Sequence, residues 1–435
     1  MLREESLVKN KKDRIMPTCN TIIVGYDAVS PLGTDMAGQW EKALNGESGV
    51  GPLTRFALDE EFPVRVAGEV PDMDAAIDIS AYPFLRPREM ANWRSPIFKH
   101  ALLVVHRALR KSGIAITEEL APRVGVTFSS AVGGQDAVLT ADRRMREQGK
   151  MPHPFTNPNS CINMVTGKIG ILTGATGPVS ATVTACATGV TSMIVGAMMI
   201  DAGRADVVIC GAVDFCLVEP IVAGFATMNG AYRQKSGQPP EAPETASRPF
   251  SKGRRGFVVS EGAGAVILAS RSFADAHGLD YGIGMRGWSM TGDAHHFVAP
   301  YEPTVRRCIS ESIADAGIEP SAIDAVNAHA ASTQVGDKVE FDALQAVFGK
   351  KIPPITANKS LTGHAMGASS AIEAILAMEG MKQGVLVPTR NYDPDMDIAL
   401  PAVPTRKQRL DQAFVLKNAF GFGGCNACVI FEHLV

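Results

Sequence analysis

Four short stretches of this chain hold residues that could do covalent or proton chemistry: a cysteine in "VTACATG", histidines in "VNAHAAST" and "GHAMGASS", and a lysine in "NKSLTG". A β-branched stretch, "VSATVT", runs into Cys186 and the apolar run "GVTSMIVGAMMI" follows it, so a strand ends and a helix begins there. A cysteine at a helix N-terminus feels the positive end of the helix dipole, which favours the thiolate and predicts a lowered pKa. Small neighbours, Ala185, Ala187 and Gly189, leave room for a substrate to approach. The competing reading is a buried structural thiol, the commonest fate of a free cysteine. His329 ends an apolar strand. His364 opens a helix whose N-terminus disfavours an imidazolium and would keep the ring neutral, as a donor through one nitrogen. Each histidine alone reads as structural. Together with a helix-terminal cysteine they suit thioester chemistry, with a nucleophile and two imidazole donors facing a developing oxyanion.

Lys359 lies five residues before His364, where it could be solvated or could tune the histidines. Glu340, eleven residues after His329, is the candidate partner for that lysine. The turn "NAFGFGGCNA" sets Phe420 and Phe422 among glycines. Such a loop can be a plain hairpin, or it can offer a backbone N–H to a carbonyl oxygen and move an aromatic ring like a door. No Lys-Ser/Thr follows, so it is not a phosphate loop.

Alternating strands and helices must hold these residues. Strands are expected at 21–33, 123–130, 205–214, 323–330, 412–418 and 427–433, with two short ones around a Gly-rich bend at 256–270. Helices are expected at 35–46, 95–112, 303–317, 337–348 and 364–382. Residues 229–250, rich in Pro, Gly, Ser and Glu, read as a surface loop. The alternation predicts a layered α/β fold. "TACATGVTSMIVGAM" also echoes "TGHAMGASSAIEAIL": Cys186 aligns with His364, Gly189 with Gly367 and Ser192 with Ser370. A duplicated fold would place two helix N-termini, one with cysteine and one with histidine, at related positions.

The bulk numbers exclude other classes. Of 435 residues 46% are hydrophobic and 20% charged, which argues against disorder, and a net charge of −3 gives no global reason for nucleic acid as a partner. No apolar run is long enough for membrane insertion. Eight scattered cysteines and a lone CxxC, Cys425 to Cys428, fit free thiols in a reducing cytoplasm and no zinc site. Residues 1–19 read as a flexible tail, or as an upstream start with Met16 as the true beginning.

The motifs "VGYDAVSPLG", "VTACATG", "SRPFSKGRRGFVVSEGAG", "VNAHAASTQVGDKVE", "NKSLTGHAMGASSAIEA" and "NAFGFGGCN" occur in this order from about residue 20 to the end. As a set they resemble the elongating β-ketoacyl-[acyl-carrier-protein] synthases of the thiolase superfamily. The resemblance implies a five-layered αβαβα thiolase fold made of two similar halves, residues 20–280 with the cysteine and 281–435 with both histidines. It implies a decarboxylative condensation. Cys186 would take an acyl group from an acyl carrier protein, and malonyl carrier protein would lose CO2 and attack it. His329 and His364 would stabilise the enolate, and the N–H groups of Cys186 and Phe422 would form the oxyanion hole. Phe420, Phe422 and Gly423 would gate the pocket, Lys359 and Glu340 would support the histidines, Thr333 would contact the incoming arm, and Val132 would border the acyl chain. Arg88, Arg94 and Lys99 would dock the carrier. No cofactor is implied; the 4'-phosphopantetheine arm arrives on the carrier protein. The assembly would be a homodimer, or a heterodimer with a chain-length-factor-like subunit, in the cytoplasm.

The chain departs from the family pattern at three places. Ala331 replaces the usual threonine two residues after the histidine, Arg255 replaces the aspartate of Arg-Asp-Gly, and Cys425 stands where threonine is common. These changes make a dedicated polyketide or polyene pathway credible beside fatty acid synthesis, and the sequence does not choose between them. A thiolase using coenzyme A thioesters, with Cys425 as base, is the rival enzyme. A partner subunit without activity is disfavoured, because Cys186, His329, Lys359 and His364 are all present.

Overall fold

The computed structural model describes residues 19–234 and 241–434. Nine strands form the main sheet: β1 (Thr21–Val29), β2 (Val124–Ser129), β3 (Val207–Asp214), β4 (Gly262–Ser270), β5 (Ile283–Gly292), β6 (Ala325–Asn327), β7 (Ile355–Thr356), β8 (Phe414–Gly421) and β9 (Cys425–His433). Six helices pack on it: α1 (Pro96–Ser112), α2 (Asn163–Thr173), α3 (Thr188–Asp201), α4 (Glu302–Asp315), α5 (Gln334–Phe348) and α6 (Met366–Gln383).

The central strands are apolar on both faces, as strands covered by helices on both sides require. Along β3, Val208 and Cys210 face the core shared by α3 and α6. Val207, Ile209 and Val213 face the core under α1 and α2. A third core lies on the far side, under α4 and α5, with Leu416, Cys428 and Ile430 from the strands. The result is five layers: α1 and α2, one sheet region, α3 and α6, the second sheet region, α4 and α5.

The sheet order is β2-β3-β4-β1-β5-β9-β8-β6-β7. β2 and β3 are parallel, β3 and β4 antiparallel, and β4 and β1 antiparallel. The second region repeats this: β6 and β8 parallel, β8 and β9 antiparallel, β9 and β5 antiparallel. β1 and β5 join the two, antiparallel, over Thr21–Ile23 and Ile283–Met285. Outside β2 lies a parallel bridge, Val126 to Val179; outside β6 lies the parallel strand β7. The echo in the sequence is thus a repeat in space: each outermost segment leads to one reactive residue and one central helix.

Several expectations need correction. Residues 256–270 hold one long strand, β4, preceded by single bridges at Phe257 and Val259. Within 229–250, residues 235–240 lie outside the described set, and the stretch from Ala246 to Phe250 is largely buried. It packs under the histidine loop: Ser247 donates to the Lys359 carbonyl (2.7 Å) and Phe250 N–H to Asp337 (2.7 Å). Residues 1–18 of the expected tail, with the choice between Met1 and Met16, lie outside the described residues. Cys19 is buried, its thiol 3.1 Å from the Met285 carbonyl, so it belongs to the body. The sequence reading had no strand at β5 and no helix at α2. All eight cysteines are free.

Candidate active site

Cys186 sits in a 3₁₀ turn, Ala185–Ala187, that runs directly into α3, and His364 stands two residues before α6. The preceding residue is left-handed in both halves, Ala185 with φ 49° and Gly363 with φ 67°. Glycine adopts this conformation freely; alanine does so under strain, which is tolerated where the surroundings fix the turn. The turn swings each reactive side chain from the strand end toward the junction of α3 and α6.

Those helices cross at glycines. A Cβ on Gly189 would lie 2.6 Å from the Ala371 nitrogen, and one on Gly367 2.8 Å from the Thr188 Cβ. The N-termini are capped reciprocally. Ser370 of α6 accepts N–H bonds from Gly189 (3.0 Å) and Val190 (3.3 Å) of α3. Asp214, at the end of β3, accepts from Gly367 (2.8 Å) and Ala368 (3.2 Å) of α6. This close approach leaves His364 Nε2 3.1 Å from Cys186 Sγ. On the other side of that ring, Nδ1 is 3.1 Å from the Ser369 hydroxyl, which also accepts the Ala365 N–H (2.7 Å). The hydroxyl can donate to Nδ1 or accept from it, so Nε2 can face the sulfur as acceptor or donor.

His329 meets His364 edge to face, with ring centroids 5.7 Å apart, and packs on Phe420. Its backbone is held from several directions. Glu340 accepts the N–H groups of His329 (2.9 Å) and Ala330 (2.7 Å). Lys359 donates to the His329 carbonyl at 2.5 Å. Lys359 pairs with Glu373, not with Glu340 as expected: Nζ is 2.6 Å from Glu373 Oε1. Glu340 is occupied by the backbone and by the Asn418 amide (3.0 Å), so it supports His329 without the lysine. The other Glu373 oxygen binds Lys417 at 2.6 Å. Glu373, Lys417, Ser369 and Asp214 were missed at the sequence level. The first two carried a signal: a lone carboxylate in the apolar run "AIEAILAM" and a lone lysine in "AFVLKNAF".

Burial decides the electrostatics. The Cys186 thiol is pushed up to about 12, chiefly by desolvation, with Lys359 and the N–H groups of Phe422 and Cys186 pulling the other way. Burial thus opposes the thiolate expected at a helix end. Both histidines titrate well below the ordinary range, first through burial and then through Lys359, with Lys417 adding to the effect. Each ring is neutral, as expected for His364, but for a different main reason.

A cavity of about 480 Å³ reaches this cluster. Cys186 and His364 are buried at its floor and His329 is half-buried beside them, while Val335 and Arg233 are exposed at its rim. Phe420, Phe422, Thr333 and Ala331 also line it. The Thr333 hydroxyl caps α5 through the Gly336 N–H (3.2 Å). Gly423, left-handed with φ 83°, ties the aromatic turn to the Phe297 carbonyl at 2.7 Å. Val132 does not line this cavity; it packs beside it in an apolar cluster with Met366, Leu217 and Phe422. Cys425, the base in the thiolase reading, is not in the cavity wall either. Arg88, Arg94 and Lys99 do not share a basic helix. Arg88 is exposed on a turn, Arg94 is exposed in the irregular segment before α1, and Lys99, in the first turn of α1, pairs with Asp74. Prolines at 87 and 96 break the segment. Arg94 and Lys99 border a separate open cleft of about 1050 Å³.

Comparison with known proteins decides the family. The N-terminal domain model of the β-ketoacyl synthases matches residues 20–274, and their C-terminal domain model matches residues 284–393. The chain belongs to the β-ketoacyl synthase family. The 3-oxoacyl-[acyl-carrier-protein] synthase 2 of Staphylococcus aureus is 34% identical over 417 residues, covering 94% of this chain and 100% of the relative. Among solved structures, a β-ketoacyl synthase from Burkholderia phymatum superposes with a TM-score of 0.86 at 27% identity, over 96% of this chain and all of that one. The ishigamide ketosynthase/chain length factor gives 0.84 at 27% identity, with 96% of this chain and 100% of that chain covered. The synthase is therefore a condensing enzyme of the acyltransferase class, on the thiolase fold. Among its described residues no cluster could hold a metal ion, and no helix is long and apolar enough to cross a membrane.

Proposed function

We propose that this synthase joins an acyl group held on Cys186 to a malonyl unit presented on an acyl carrier protein, releasing CO2 and a 3-oxoacyl product of the fatty acid or polyketide kind. The observation that carries the residue roles is the 3.1 Å contact between Cys186 Sγ and His364 Nε2, beside His329, on the floor of a cavity that opens to solvent. In the loading step the sulfur attacks the acyl thioester carbonyl and its proton passes through His364 Nε2 to the leaving thiolate. The oxyanion faces the N–H groups of Cys186 and Phe422. The malonyl thioester carbonyl then faces His329 and His364. Two neutral imidazoles donate to the enolate without protonating its carbon, so it survives to attack the acyl-enzyme and expel the Cys186 thiolate, which takes up a proton from solvent through the open cavity to restore the thiol. This sequence requires no resident cofactor; a 4'-phosphopantetheine arm of the carrier fits the role of the chain in the cavity. A partner subunit, a second copy or a chain-length-factor-like chain, would cover apolar side chains exposed at the β2 edge and on its flanking helices, including Val179, Val183, Ile171 and Met198.

Incubating the protein with acyl carrier proteins of different chain length, without malonyl donor, tests the first step by intact mass and peptide mapping. An acyl adduct on Cys186 is expected, and it should be absent in Cys186→Ala, whose condensation rate falls by about 10³-fold or more. A folded protein that takes no adduct from any carrier would overturn the reading.

A further inference from the structure

Lys417 is fully buried on β8, where its only polar neighbour along the strand is Asn418, which faces Glu340. Burying an ammonium is costly unless it is paired. Its ion pair is shared: Glu373 holds Lys417 on one oxygen and Lys359 on the other, each at 2.6 Å. One carboxylate would have satisfied Lys359 alone. The two ammonium groups reach successive carbonyls of the histidine loop, Lys359 that of His329 (2.5 Å) and Lys417 that of Ala328 (3.5 Å). On the opposite side Glu340 takes the N–H groups of His329 and Ala330. Ala330 is itself left-handed, with φ 25°, so this loop needs holding.

Resting on the condensing-enzyme reading above, we propose that Lys417 is a positioning residue for His329: through Glu373 and the Ala328 carbonyl it fixes the imidazole, and its buried positive charge favours the movement of negative charge from the malonyl carboxylate to the enolate oxygen as CO2 leaves. The groups that face the histidine pair are Lys359, Lys417 on β8, Glu373 on α6, Glu340 on α5, Cys186 ahead of α3 and Asp214 at the end of β3. Cys428 on β9 points to the other side of the sheet, its thiol 3.3 Å from Asn418 Oδ1. Positive charge at Lys417 adds to that of Lys359 in opposing an imidazolium at His329 and His364. Acyl transfer to Cys186 does not use His329, and loss of the Lys417 charge would make His364 a better proton acceptor, so removing Lys417 should not slow it.

The test compares Lys417→Met and Lys417→Gln with the wild type in three assays: acylation of Cys186 by mass, condensation with malonyl carrier protein across pH, and histidine titration by ring-¹⁵N NMR. Both variants keep Glu373 paired with Lys359. The expected result is a fall of about tenfold in kcat for condensation, with KM and the acylation rate near wild type. The acidic limb of the profile and the His329 midpoint should both move to higher pH, because a charge opposing protonation has gone. Unchanged profiles in both variants would overturn the proposal. So would restoration of full activity by the uncharged glutamine, or equal losses in acylation and condensation, which would mark a structural role only. If neither variant folds, the wild type still decides, since a His329 imidazolium at pH 7 contradicts the proposal. A wild type that acylates but forms no 3-oxoacyl product sinks the condensing reading, and Lys417's role with it.

Discussion

The two halves use one backbone device for two chemistries. In each, an outermost segment, a bridged extended stretch at Val179 or the strand β7, leads to a left-handed residue, then to a reactive side chain, then to a central helix. Their surroundings differ. The Cys186 side holds neutral hydroxyls, among them Thr188, Thr191 and Ser192, and one buried carboxylate, Asp214, and the thiol is pushed up to about 12. The His364 side holds Lys359, Lys417, Glu373 and Glu340, all buried. Neither half supplies a complete site. The thiol gains its proton acceptor and nearby positive charge from the other half, and α6 gains its cap from Asp214 of the first. A helix terminus in a dry site is therefore a place to present a group, while activation has to come from across the interface.

Removing one histidine at a time breaks the comparison most severely. His364→Ala should lower condensation by about 10³-fold and slow acylation too, because its Nε2 touches the sulfur. His329→Ala should lower condensation by about 10²-fold and leave acylation nearly intact. Single-turnover mass measurements of both steps separate them; equal effects on acylation would erase the division of labour. A methyl group at the helix crossing comes next. Gly189→Ala and Gly367→Ala should each cost about 1–3 kcal/mol of stability by overpacking, seen as an earlier midpoint in chemical denaturation, and the pair should be less than additive because they strain one contact. The mildest test uses wild-type protein. Alkylation of Cys186 by iodoacetamide should keep accelerating with pH past 9, as for a thiol pushed up to about 12. A plateau near neutral pH would show that the helix end and His364 outweigh burial.

Much of this was legible in the sequence, for identifiable reasons. The reactive residues sit where hydrophobic periodicity changes from strand to helix, so Cys186 and His364 marked themselves, and the Gly and Ser echo pointed to the repeat. Partners from distant strands were harder. Spacing alone put Glu340 beside Lys359, because nothing in one dimension says that Glu373 arrives on the same face of the site as the lysine. The burial that opposes the thiolate was missed too: a dipole is readable from a helix start, whereas the depth of burial is set by the opposing helix. The β5 strand, "IGMRGWSMTG", interleaves glycine and polar residues and gives a weak period-two signal. The docking arginines fell outside any helix because prolines interrupt what composition suggested was one.

The strand order read from β2 to β6 is the same from either end, and its middle pair, β1 with β5, is antiparallel. That is the arrangement two identical half-length chains make around a two-fold axis. In such a pair both helix starts must carry the same side chain, so a thiol could face only a thiol. Fusing the halves into one chain lifts that restriction. The unlike residues at positions 186 and 364 are the freedom that the fusion gave, and the site's chemistry begins with that loss of symmetry.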